Sequence, residues 1–178
     1  MLDWLLRRGN PTNKWSRSTD LNLTVELRQP SINKVPAGSS IADLAFLGRS
    51  ASNEVSPLDY NDLGISIDFE EDGSFSGFQV ILDDPSQNFE SYDGKLTFDG
   101  IEIDATVVQE HLGEPFWVDR EDDETILFFE YSKHEIQVEQ SPEGRNKCLV
   151  ITLQPLMADP GNRNDYGVDK PWPPKMTT

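Results

Sequence analysis

Residues 60–82 overlie residues 131–153 without a gap, and this internal match constrains the fold more than any other feature of the chain. Tyr60 aligns with Tyr131, Ile65 with Ile136, Ile67 with Val138 and Asp68 with Glu139. Asp72-Gly73 falls on Glu143-Gly144, while Phe78, Val80 and Leu82 fall on Leu149, Ile151 and Leu153. In both copies apolar and polar residues alternate on either side of an acidic residue followed by glycine, which is the pattern of a β-hairpin. Upstream of each lies a short apolar-periodic stretch closing in Leu-Gly, residues 41–48 in the first and 106–113 in the second. The expected fold is α+β: duplicated short-helix plus antiparallel β-hairpin units, mostly antiparallel sheet, with an irregular N-terminal arm and a Pro-rich C-terminal tail. The expected boundaries are 1–19 for the arm, 20–83 and 84–156 for the two repeats, and 157–178 for the tail.

Residues 21–27 alternate at period two and predict the first strand, with Leu21, Leu23, Val25 and Leu27 on one face. Ser39 or Ser40 is placed to cap the first short helix, and Gly48 to stop it. Residues 95–103 read as a tight hairpin or a bulged single strand, because Asp99-Gly100 favours a type I′ turn. The second helix is expected over about residues 105–112, ended by Gly113 and Pro115. Residues 125–131, Thr-Ile-Leu-Phe-Phe-Glu-Tyr, are nearly apolar on both faces and predict a central strand covered on both sides. Beyond Pro155, the run of Pro160, Gly161, Pro171, Pro173 and Pro174 predicts a tail that is neither helix nor interior strand.

A chain of 178 residues can bury an adequate core as one medium domain or two small packed halves. Its 15 basic and 32 acidic side chains give a net charge of −17, a surface that repels phosphate backbones, so no nucleic-acid partner is expected. Residues 1–34 are slightly basic, which places the acidity in the rest of the chain. That acidity reads as a solvated surface or as attraction for a basic protein partner. No stretch approaches the about 20 apolar residues of a membrane span, and the apolar run from Trp4 to Leu6 is too short for a secretory signal. The expected location is cytoplasmic, with no membrane partner. The lone Cys148 cannot form an internal disulfide, and in an alternating strand it reads as a buried structural thiol. Oligomeric state is left open.

Residues 68–73 followed by Gln79 imitate the spacing of a calcium loop, with Asp68, Glu70 and Asp72 at ligand positions and Gly73 at the turn. Gln79 cannot supply the closing bidentate carboxylate, and a hairpin turn explains Asp72-Gly73 equally well. The densest acidic cluster, residues 119–124, reads as a solvated connector or as an oxygen-ligand site for Mg²⁺ or Ca²⁺. His111 and His134 have no partner by spacing, and no nucleophile elbow, paired-cysteine or phosphate-binding glycine motif occurs. No cofactor, catalytic residue or metal ligand is therefore assigned. Phe116-Trp117 directly precedes the acidic cluster, and an aromatic anchor ringed by charge suits a protein interface. The candidate partner-binding residues are Phe116, Trp117, Asp119, Glu121, Asp122 and Asp123. Trp172, with Tyr166 and Val168, reads as the anchor of the tail on its own domain.

A helix closing in Leu112-Gly113-Glu-Pro115 and followed by antiparallel strands resembles the repeat unit of β-lactamase-inhibitor-like proteins and of SmpA-type outer-membrane assembly lipoproteins. Two units in tandem are more similar to the inhibitor. The resemblance covers roughly residues 40–82 and 104–153 and implies non-catalytic protein binding. The chain departs from both families in lacking a signal peptide, a lipidation cysteine and cysteine pairs. Residues 112–117 and 166–174 also resemble segments of an uncharacterised bacterial family that brings no function with it. The expected function is a non-catalytic cytoplasmic protein-binding module, inhibitor- or immunity-like. The alternative is a metal-assisted enzyme using Asp119, Glu121, Asp122 and Asp123 with His111.

Overall fold

The computed structural model describes residues 10–52, 56–84 and 88–172. The start of the arm with Trp4, part of the expected boundary between repeats, and the final prolines of the tail lie outside the described residues. In chain order the strands are β1 (Thr24–Glu26), β2 (Ser31–Ile32), β3 (Val35–Pro36), β4 (Leu58–Tyr60), β5 (Ile65–Phe69) and β6 (Phe75–Ile81). They continue as β7 (Lys95–Phe98), β8 (Ile101–Ile103), β9 (Trp117–Arg120), β10 (Thr125–Glu130), β11 (Glu135–Gln140) and β12 (Asn146–Thr152). A five-stranded sheet runs β3-β2-β1-β7-β8, and a seven-stranded sheet runs β4-β5-β6-β12-β11-β10-β9. Every pairing is antiparallel except β1 with β7. The architecture is mixed α+β, dominated by antiparallel sheet.

The helices are tighter than the sequence reading expects. Residues Ile41–Leu47 form a 3-10 helix, and its buried side chains are Ile41, Leu44 and Leu47. A spacing of three matches the three residues per turn of that helix, so one apolar row faces the core. Ser40 caps it by accepting from the Ala42 amide. At Gly48 a side chain would meet the Arg17 backbone nitrogen at 2.8 Å, so the Leu-Gly ending reflects close packing as well as a positive φ. The second helical stretch begins as a 3-10 turn, Ala105–Val107, capped by Asp104, and continues as α1 (Gln109–Leu112). Its buried residues Val108 and Leu112 are four apart, the α-helical spacing.

The main core lies where the buried faces of both sheets and these helices meet, drawing Val25, Ile32 and Leu96 from the smaller sheet and Ile67, Val138 and Ile151 from the larger. A second, smaller cluster holds Phe116, Phe128, Met157 and Val168. Three expectations need correction. The first strand pairs only over Thr24–Glu26, although Leu23, Val25 and Leu27 are all buried as the alternation predicts. Residues 125–131 are not central: β10 is second from the edge, and β12 holds the middle of the sheet. Phe129 joins the main core while Phe128 joins the second cluster, so both faces are covered, one of them by the C-terminal segment.

That segment is the third correction, because it contains a 3-10 turn, Leu156–Ala158, and a helix, α2 (Pro160–Asp165). Pro160 occupies the first helical turn, where the missing N–H has no helical partner to lose. Asp159 caps the helix by accepting from the amides of Gly161 and Asn162.

Candidate functional site

The expected partner residues separate into two environments. The edge hairpin of β9 and β10 is closed by the Glu121 amide on the Glu124 carbonyl at 2.9 Å. Glu121, Asp122 and Asp123 are exposed at its tip, whereas Asp119 is half-buried within β9. Among the described residues none of these four makes an ion pair; Glu124 instead pairs with Lys147 at 3.3 Å. Phe116 is buried beneath the C-terminal segment. Its ring meets Trp172 edge-on at 6.3 Å, and its carbonyl accepts from Lys170 Nζ at 2.8 Å. Trp117 is half-buried and stands opposite Phe128 in register. The aromatic pair is thus occupied by the chain's own tail, while the acidic tip is open.

The calcium-like spacing is used for a turn. Asp72 Oδ1 accepts from the Ser74 amide at 2.9 Å, and Gly73 supplies the positive φ. Asp68 is exposed on β5, and partial desolvation, then neighbouring Asp59 and Glu70, push its carboxyl up. Among the described residues no group of three or more His, Cys, Asp or Glu side chains is arranged to hold a metal ion. His111 is exposed on α1.

A feature missed in the sequence is a groove of about 740 Å³ on the solvent face of the five-stranded sheet. Thr24 and Glu26 of β1, Ser31 of β2 and Thr97 of β7 form its floor, with Lys34 and Asp99 in its rim. The carboxylate of Glu26 fixes one wall. It accepts from Thr97 Oγ1 at 2.8 Å and from the amides of Arg28, Asp99 and Gly100 at 2.9, 3.0 and 3.0 Å. Burial opposes ionisation of Glu26, and those donors outweigh it, holding the carboxyl below its usual range. The β7–β8 turn they clamp has φ of 53° at Asp99 and 76° at Gly100, so of the two forms open for residues 95–103 the chain adopts the tight hairpin. Ile101, 68% exposed, follows directly, but the register pairs it with Phe98 and so places it on the opposite face of the sheet from Thr97 and the groove. The opposite wall is the Asn33-Lys34 turn, tied back by the Thr24 amide on Asn33 Oδ1 at 2.7 Å. The usable sequence signals were Glu26 on the polar side of an alternating strand and the two turn dipeptides.

Other titratable groups are buried. Glu130 and Glu135 face each other across β10 and β11. Glu135 Oε2 accepts the Leu156 amide at 2.8 Å and Glu130 Oε1 the Met157 amide at 3.3 Å. Burial and then the Glu135 carboxylate push Glu130 up, so the pair holds a proton at neutral pH. Burial, then Glu139 and Asp84, push the Cys148 thiol up and away from nucleophilic character. Compared with known proteins, the chain matches no family model, no curated protein and no solved structure. No helix among the described residues is long and apolar enough to cross a membrane.

Proposed function

We propose that this chain is a non-catalytic, cytoplasmic protein-binding module of the inhibitor or immunity kind, which docks a basic partner in the groove of its five-stranded sheet. The observation that carries this reading is the groove itself, whose walls are fixed by the hydrogen bonds of Glu26 and Asn33. Its floor is polar, with the hydroxyls of Thr24, Ser31 and Thr97 facing the groove, and such hydrogen-bonding groups suit a protein segment. The net charge and the open tip of Glu121, Asp122 and Asp123 supply long-range attraction for a basic surface. Ser31→Arg tests it, because Ser31 lines the floor without belonging to the core. A basic partner captured by the wild type should be lost to this variant while its melting curve stays unchanged. Equal capture by both proteins overturns the groove. A melting temperature that rises with Ca²⁺ or Mg²⁺ would favour the metal-assisted alternative instead.

The same reading includes descent of the two halves from one unit. Where β6 meets β12, Gln79 pairs with Val150, its own counterpart in the internal match. The ladder irregularities also correspond, falling between Asp68 and Phe69 in one hairpin and between Glu139 and Gln140 in the other. Both features support a two-fold relation between the hairpins. An experimental structure in which residues 79 and 150 do not pair would end it.

A further inference from the structure

We propose that the concavity between Arg28 and the β10–β11 turn is a binding site for a small oxyanion, carboxylate or phosphate-like, held by Arg28 and Lys133. The site is independent of the groove and of the partner assigned to it. In so acidic a chain, six of the twelve lysines and arginines among the described residues are neutralised or spoken for. Arg17 pairs with Asp62, Lys95 with Glu102, Arg145 with Asp83 and Lys147 with Glu124. Arg163 donates to the carbonyls of Met157 and Ala158, and Lys170 to that of Phe116. Arg28 and Lys133 hold no carboxylate among the described residues, and they share a concavity of about 150 Å³ with Tyr131, Ser132 and His134. An open hollow of that size admits one small oxyanion with part of its hydration.

The guanidinium is positioned without being neutralised. It lies 5.0 Å from the centre of the Tyr131 ring and 5.8 Å from that of Phe98, contacts that orient a cation and leave its charge and donors available. Tyr131 is itself fixed, its hydroxyl donating to the Leu112 carbonyl at 3.2 Å. His134 stacks on the same ring at 4.6 Å, is 6% exposed, and its Nε2 is buried without a hydrogen-bond partner among the described residues. Burial and then the charge of Arg28 hold His134 down to about 4, with only the Leu27 backbone favouring its charged form. Asp99 is the acidic group felt by Tyr131 in this neighbourhood, and it does not line the concavity. The field of the whole molecule opposes an anion, so binding rests on charge-assisted hydrogen bonds at short range. An oxyanion on Arg28 offsets the charge that keeps His134 neutral, and by linkage raises the affinity of His134 for a proton.

Sulfate and acetate titrations of the full chain, followed by nuclear magnetic resonance, test the site. The Lys133 amide and the His134 ring should shift saturably, while the exposed His111 serves as the internal control and stays put. Arg28→Gln should weaken binding about tenfold or more, the loss of one charge-assisted contact. Tighter binding of sulfate identifies a phosphate-like group, and tighter binding of acetate a carboxylate; either supports the site. Equal, non-saturating shifts at both histidines overturn it, as does unchanged affinity in Arg28→Gln. If that variant loses its fold, Lys133→Gln, changed at an exposed position, decides the matter by the same titration: several-fold weaker binding is expected, and unchanged binding refutes the site.

Discussion

Two carboxyls facing each other across β10 and β11 govern how the C-terminal segment is held. Glu130 and Glu135 accept the backbone amides of Met157 and Leu156, and one proton between them avoids burying two negative charges together. The folded-state pKa of Glu130 is raised above its ordinary value of 4.5. Its contribution to stability is therefore full below that value and is lost as pH rises into the alkaline range. Glu130→Gln keeps the shape and an acceptor but cannot ionise. Its stability relative to the wild type should rise by about 1.4 kcal/mol for each pH unit between pH 6 and pH 9, as read from urea unfolding at the two pH values. A constant gap between them would show that Glu130 does not titrate in this way. Nothing in the spacing of Glu130 and Glu135 announces the pair; they sit five residues apart in sequence and meet only because the β10–β11 turn sets their register.

At the scale of elements, β9 and β10 show how far local pattern reaches. The apolar run 125–131 correctly marked a strand covered on both faces, and Phe128 is 2% exposed. Its cover is the C-terminal segment, through Met157, Val168 and an edge contact with Tyr166 at 6.0 Å. Phe128→Ala should cost about 3–5 kcal/mol in denaturant unfolding. A melting temperature within a degree or two of wild type would contradict that packing. The tip of the same hairpin obeys the opposite rule. Replacing Asp122 and Asp123 together with Asn should leave stability within about ±0.5 kcal/mol, because both are exposed and clustered like charges repel. The double change should also weaken capture of a basic partner at low salt and alter it little at high salt, where screening already mutes the tip. Equal capture at low salt would remove the tip from the interface. The helix in the tail escaped the proline count because Pro160 stands at its start, the one helical position where proline is favoured.

For the whole molecule, the legible part was what repeats locally. Alternation located the hairpins, the Leu-Gly endings located both short helices, and the Asp99-Gly100 dipeptide identified a tight turn, since each depends on a few neighbouring side chains. Which strands become neighbours was not legible. Whether β12 or β10 lies at the centre depends on pairing β6 with β12, two strands far apart in sequence, and the parallel pairing of β1 with β7 has no local signature. The groove exists because that parallel pairing brings Glu26 to the Asp99-Gly100 turn, and the cationic niche because the chain just after β1 sets Arg28 against the β10–β11 turn. Phe116 shows the same division: its apolar character and acidic neighbours could be read from the chain, yet its burial under Trp172 and Lys170 could not. The sequence by itself determined periodicity, caps, turns and charge, which are short-range properties of the backbone and solvent. The tertiary structure alone decided strand order, the cover over Phe116 and Phe128, and the juxtaposition of charged groups, because these depend on long-range contacts that no local spacing encodes.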